Sequence, residues 1–233
     1  DRFTSPDRAA NIPEFVATTP QAIRKIKEAF VNAISFFRAG VEFAKAGDSA
    51  NAEKCYRRAL ALDPKCAVAH GGLGLILILK GELELARTHF QKAIEYDPKL
   101  TSAYHNLGTL CLDQRDPQQA VHFFTKAIEV DPGLFESRHS MAIALQSLGR
   151  VDEALVQYRK VVRSNPKYAA AYYDLGVILH CQGKIDEAIT QYRKAIEVDP
   201  SYAEAFYNLG MALGSKGSIE EATAQLRKAL AVG

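Results

Sequence analysis

The residues with which this chain could do chemistry are six histidines, four cysteines and a series of paired carboxylates. His105 and His139 stand 34 residues apart, and His180 falls one helical stripe further on, so the three could converge on one surface. Converging imidazoles bind zinc-like ions when thiolates or carboxylates complete the ligand set. No such group is fixed beside them in the sequence. His70, His89 and His122 are expected to pack or to face solvent. Cys55, Cys66, Cys111 and Cys181 form no CxxC pair. They read as free thiols in a reducing compartment, two or three of them packed as small hydrophobes. The acidic pairs Asp152-Glu153, Asp186-Glu187 and Glu220-Glu221 recur at helix starts, where they complement the macrodipole rather than perform acid–base chemistry. Gly71-Gly72-Leu73-Gly74 has the composition of a phosphate cradle, but a cradle needs a strand before it and a helix N-terminus after it. Here the glycines fall inside a helix. HExxH and GxxxxGK[ST] are absent. The expectation is a chain that is not an enzyme, with no metal and no cofactor.

The elements that carry these residues follow a fixed period. Pro64, Pro98, Pro132, Pro166 and Pro200 are each 34 residues apart, four of them preceded by Asp and Pro166 by Asn165. A period of this length marks a repeat architecture. The segment from Ala169 to Tyr202 serves as the template. Tyr172, Leu175, Gly176 and Leu179 share one helical face, and Gly183 ends that helix. Ile185, Ala188, Ile189, Tyr192, Ala195 and Ile196 repeat the period in a second helix, which Asp199-Pro200 stops. Neither helix buries its apolar face alone, so neighbouring copies must complete the core.

The 233 residues are 48% hydrophobic with a net charge of +2, and in a repeat array such a length describes one stack. No copy is basic enough for a nucleic-acid groove. No apolar run reaches the 18 or so residues of a membrane span. An intracellular, cytoplasmic location is expected. Residues 1–19 lack the period and carry Pro6, Pro13 and Pro20 at or beside their breaks. They read as extended or partly disordered, with Phe3, Ile12, Phe15 and Val16 available for docking. Residues 20–32 form an N-terminal helix continuous with the first repeat helix, with Ile23, Ile26, Phe30, Ile34, Phe37 and Val41 in one stripe. The array covers 33–233, in copies 33–66, 67–100, 101–134, 135–168, 169–202 and 203–233. The uncapped sixth copy suggests a fragment of a longer chain or a face that meets a partner.

The register places Gly40, Gly74, Gly108, Ala142, Gly176 and Gly210 at one small position. Ala52, Ala86, Ala120, Ala154, Ala188 and Ala222 fill a second. Tyr56, Phe90, Phe124, Tyr158 and Tyr192 fill an aromatic one, with Leu226 in the sixth copy. A glycine retained inside a helix costs about 1 kcal/mol relative to alanine, which implies close approach of another helix. In this pattern the chain resembles the tetratricopeptide repeat (TPR) family. The resemblance implies an all-α, right-handed superhelical solenoid of six 34-residue helix-turn-helix repeats. It also implies a concave groove lined by the first helices.

On that resemblance, the groove stripe holds Leu75 and Leu79, then His105, Asn106 and Thr109, and then His139. Tyr173, Asp174, Val177 and His180 follow, and Tyr207, Asn208 and Met211 end it. The places that clamp a chaperone's C-terminal carboxylate elsewhere in the family here hold Phe37 and Val41, Gly71 and Leu75, and His105 and Thr109, so no clamp assembles. Asn106, Asp174 and Asn208 form part of the asparagine ladder by which O-GlcNAc transferase arrays hold an extended peptide. The implied function is a non-catalytic adaptor or scaffold that binds a partner peptide or helix in the groove. Two alternatives compete with it. One is an assembly factor that self-associates through its C-terminal repeat. The other is the targeting module of a larger enzyme, such as an O-GlcNAc-transferase-like glycosyltransferase.

Overall fold

The computed structural model describes residues 20–232 and, among the side chains of residues 20–30, only Arg24 and Glu28. The expectations for residues 1–19, and for Ile23, Ile26 and Phe30, lie outside the described residues or side chains. Among the described residues there are twelve helices and no strand. They fall into two compact units, divided along the chain between Ala103 and Tyr104.

The first unit contains α1 (Pro20–Lys45), α2 (Ser49–Leu62), α3 (Ala67–Leu79) and α4 (Leu83–Tyr96), packed as the hairpins α1/α2 and α3/α4. The second unit takes in most of α5 (Thr101–Asp113) and α6 (Pro117–Val130). It continues through α7 (Phe135–Ser147), α8 (Val151–Ser164), α9 (Ala169–Cys181) and α10 (Ile185–Val198). It ends in α11 (Ala203–Ser215) and α12 (Ile219–Val232). Within each unit a first helix packs on its own second helix, and that second helix packs on the next first helix.

The close approach implied by the helical glycines is present. A Cβ built on Gly176 would lie 2.6 Å from Cε1 of Tyr192, and one on Gly108 would lie 2.6 Å from Cε1 of Phe124. In the copies with a glycine at this place the aromatic ring of the second helix therefore abuts the backbone of its first helix, and in the last copy Leu226 does so against Gly210. Tyr158, Tyr192, Phe90 and Phe124 are all but fully buried. The Gly71–Gly74 run lies inside α3, as expected of a packing motif.

Each helix stop is a local device in which the Asp matters as much as the Pro. The backbone N–H of Asp63, Asp97, Asp131, Asn165 and Asp199 closes the last helical turn. The side-chain oxygen then accepts the N–H two residues on, at 2.8–3.0 Å from Asp63, Asp97, Asp131 and Asp199 and 3.3 Å from Asn165. This Asx turn redirects the chain across the proline. The turn inside each hairpin uses a left-handed residue. Gly183 has φ +75°, its N–H bonds the His180 carbonyl, and Lys184 N–H bonds the Leu179 carbonyl. This is a Schellman closure. Arg115 adopts φ 60° at the equivalent place and makes the same two bonds, Arg115 N–H to Leu112 and Asp116 N–H to Cys111. A left-handed conformation costs an L-residue about 1–2 kcal/mol, partly offset by the chain entropy that glycine loses. Arg115→Gly is therefore expected to raise stability by about 0.5–1 kcal/mol. A urea midpoint that fails to rise would contradict this.

The paired acids lie in the first turns of α8, α10 and α12. They also bridge neighbouring hairpins, with Arg193 Nη2 2.7 Å from Glu221 and Lys216 against Asp186. These pairs are exposed and worth little individually. Glu53 is different: its carboxylate is buried and held by Arg57 at 2.8 Å and Lys80 at 2.5 Å. Cys66 and Cys111 are buried, Cys55 is half-buried and Cys181 is exposed. Among the described residues, no helix is long and apolar enough to cross a membrane.

Candidate interaction face

In the second unit, the first helices α5, α7, α9 and α11 bury one side against their partners. Leu175, Gly176 and Leu179 of α9 are buried, as are Leu209, Gly210 and Leu213 of α11. The spacing of 3 and 4 residues then leaves a second stripe free of the framework. It carries Ile143 on α7, Tyr173, Val177 and His180 on α9, and Tyr207 and Met211 on α11, whereas His139 of α7, expected on this stripe, is buried against Tyr158. Ile143 is 38% exposed, Tyr207 52% and Met211 49%. Tyr173, Val177 and His180 are half-buried. Monomeric folds rarely leave large apolar groups so aligned without use. In the first unit, Leu75 and Leu79 of α3 are exposed in the same manner.

Hydrogen bonds run along this stripe from each first helix to the next. His105 Nδ1 lies 2.8 Å from Ser137 Oγ. His139 Nε2 lies 2.7 Å from Asp174 Oδ2. Asn208 Nδ2 donates to Tyr173 Oη at 2.9 Å. A carboxylate only accepts, so Nε2 of His139 carries a proton. In neutral His139 the bare Nδ1 then accepts from the Tyr168 hydroxyl at 3.4 Å. Tyr168 and Tyr202 sit just before α9 and α11 and pack edge-on against His139 (5.0 Å) and Tyr173 (5.2 Å).

A histidine held by a carboxylate is also how a general base is oriented. Here both ring nitrogens of His139 are engaged, by Asp174 and by Tyr168, so the pair joins α7 to α9. The sequence suggested no carboxylate beside the histidines, and Asp174 corrects that. The three histidines also do not gather. His105 bonds Ser137, His139 bonds Asp174, and the His180 ring lies 6.4 Å from that of Tyr192. Among the described residues, no three metal-ligating side chains share a site. His70 and His89 pack on each other, with Nδ1 atoms 2.9 Å apart, and His122 is exposed.

Of the expected ladder residues, Asp174 and Asn208 are already bonded within the protein, each with one oxygen left over. Asn106 and Thr109 lie on α5, half-buried and exposed, and Thr109 bonds back to the His105 carbonyl. Burial lowers the His105 pKa, against the pull of Glu136. Burial also raises the phenols of Tyr168 and Tyr173, with Asp174 adding to both, Glu136 to Tyr168 and Glu204 to Tyr173. Tyr202 is pushed up to about 12 by burial, reinforced first by Asp174 and Glu204. Tyr168 and Tyr202 were not among the residues singled out from the sequence. Their signal was available: they are 34 residues apart, at the place just before a first helix.

With this geometry in hand, comparison with known proteins is informative. Residues 37–101, 101–134 and 203–232 match tetratricopeptide repeat families, and residues 142–183 and 178–217 match a TPR repeat family. The chain belongs to the tetratricopeptide repeat family. A comparison with curated proteins returned no significant match. Among solved structures it is similar to MamA, at 27% identity and TM-score 0.64 over 69% of this chain and 94% of that one. It is similar to YrrB, described as a TPR protein with an unusual peptide-binding site, at 26% identity and TM-score 0.62 over 80% and 96%. Pseudomonas aeruginosa PilF shares the fold, at TM-score 0.77 and 17% identity over 86% and 90%.

Proposed function

We propose that this chain is a non-catalytic protein-interaction scaffold, and that the first-helix face of the second unit binds a peptide segment of a partner. The observation that carries this reading is the aligned, exposed apolar stripe of Ile143, Tyr207 and Met211, bordered by half-buried Tyr173 and Val177. The peptide-binding description of YrrB supports it. The apolar groups supply affinity, and the spare oxygens of Asp174 and Asn208 accept backbone N–H groups of the bound segment.

Tyr207→Ala with Met211→Ala is the clean test, because both side chains are about half exposed and support little of the core. Peptides selected from a random display library against the native protein are expected to bind the double variant about tenfold more weakly, a loss of about 1.4 kcal/mol. Unchanged affinity in a variant that retains its melting curve would remove this face from the function. Tyr173→Ala is less decisive, since Tyr173 also accepts from Asn208 and packs on Tyr202.

A further inference from the structure

The two kinds of helix in the second unit differ in charge balance: the first helices are acidic, and the second helices carry both signs in equal number. The first helices carry Asp113, Glu136, Asp174 and Glu204, with Arg138 as their one cation. Arg138 is turned from the stripe: its guanidinium donates to the Pro132 carbonyl and to Gln157 of α8. The second helices hold cations, among them Arg159, Lys160, Arg193 and Lys194, but balance them with as many acids, the pairs Asp152-Glu153, Asp186-Glu187 and Glu220-Glu221 included. A chain of net charge +2 therefore presents an acidic first-helix face.

The acids lie among the exposed apolar groups. Glu136 and Glu204 occupy the same register on α7 and α11 as Ala170 on α9, one turn from His139 and Tyr207. Both are exposed, and neither has an ion-pair partner among the described residues. Asp174 lies between them. The carboxylates that act on Tyr168, Tyr173 and Tyr202 are these three. Two of the acids sit in first helical turns, where the macrodipole accounts for one carboxylate by itself. It does not account for Asp174 in mid-helix, nor for the absence of cations along the stripe.

Resting on the peptide-binding reading above, we infer that the occupant of this face is a basic amphipathic segment of a partner protein. Its apolar side chains cover Ile143, Tyr207 and Met211, and its Arg or Lys heads lie among Glu136, Asp174 and Glu204. Guanidinium groups suit the site best, because they pair with carboxylates and stack on tyrosine faces. Anionic partners, nucleic acid and acidic lipid included, are repelled here.

The test is a selection from a random-peptide display library on native protein and on Glu136→Lys with Glu204→Lys. Both glutamates are exposed and unpaired, so the variant is expected to fold. On native protein the recovered sequences should be enriched in Arg and Lys interleaved with apolar residues. Their synthetic forms should weaken about tenfold on the variant, and again on raising the salt. Peptides recovered without basic bias, yet lost on Tyr207→Ala with Met211→Ala, would overturn the charge assignment and leave the peptide-binding face intact. Acidic peptides from native protein would likewise overturn it. Recovery of no binding sequence would count against both readings.

Discussion

Tyr158→Ala is expected to remove about 3–5 kcal/mol of stability, the range for deleting a large buried aromatic side chain. Tyr158 has no exposed surface and lies in the main core cluster of the second unit. Its ring fills the aromatic place of its copy and packs edge-on to His139 at 5.5 Å. The hydroxyl reaches Gln146 only at 3.4 Å, so most of the loss comes from the ring. Tyr158→Phe should therefore cost less than about 1 kcal/mol. Chemical denaturation of the two variants separates the terms. An alanine variant within about 1 kcal/mol of the native protein would mean that the hairpin collapses onto the space, and that the ring is not the keystone described.

The second large effect is a loss of stability in mild acid, centred on the first unit. His70 Nε2 lies 3.0 Å from the Pro64 carbonyl, which can only accept. The proton therefore sits on Nε2, His70 Nδ1 is bare when neutral, and His89 Nδ1–H donates to it. A second proton on His70 would occupy the lone pair that accepts from His89, and one on His89 would go to Nε2 and place a charge within this buried pair. Burial lowers the pKa of both. His89 is held near about 4 by burial first, then by His70, Lys92 and Arg57. For His70, Lys92 adds to the lowering, while the Pro64 carbonyl and Asp63 oppose it. The unfolded histidines protonate near 6.5, so the folded state binds fewer protons. Stability is then complete above pH 6.5 and is lost as pH falls toward about 4. Discounted for partial exposure, the loss is about 2 kcal/mol. Urea midpoints measured from pH 7.5 down to 4.5 should fall more steeply in the native protein than in His70→Asn with His89→Gln. Parallel curves would refute the assignment, since the carboxylates titrate alike in both.

The frame of the fold was legible because its contacts are internal to each hairpin. Gly108 meets Phe124, and Gly176 meets Tyr192, each across one short turn within the same copy. A period read from a single copy therefore contains them. The pairs along the candidate face were not legible. Alignment of copies sets His139 beside Tyr173, its counterpart 34 residues on. In the folded unit His139 instead meets Asp174, and Tyr173 meets Asn208, both 35 residues on. That one-residue step comes from how neighbouring hairpins pack, which the period does not encode. The Asx turns were missed for a different reason. Proline accounts for a helix stop by itself, so the pattern assigns no separate task to the Asp before it, whose carboxylate accepts the N–H beyond.

The short reach of these contacts bears on how the chain folds. The cross-helix side-chain bonds described above join residues no more than 35 apart. Loops of that size close at modest entropic cost, and low contact order goes with fast folding. Any hairpin can serve as a nucleus, and order spreads to its neighbours one interface at a time. Synthesis from the N-terminus then suits the architecture, since each hairpin has its partner surface ready once the next one leaves the ribosome.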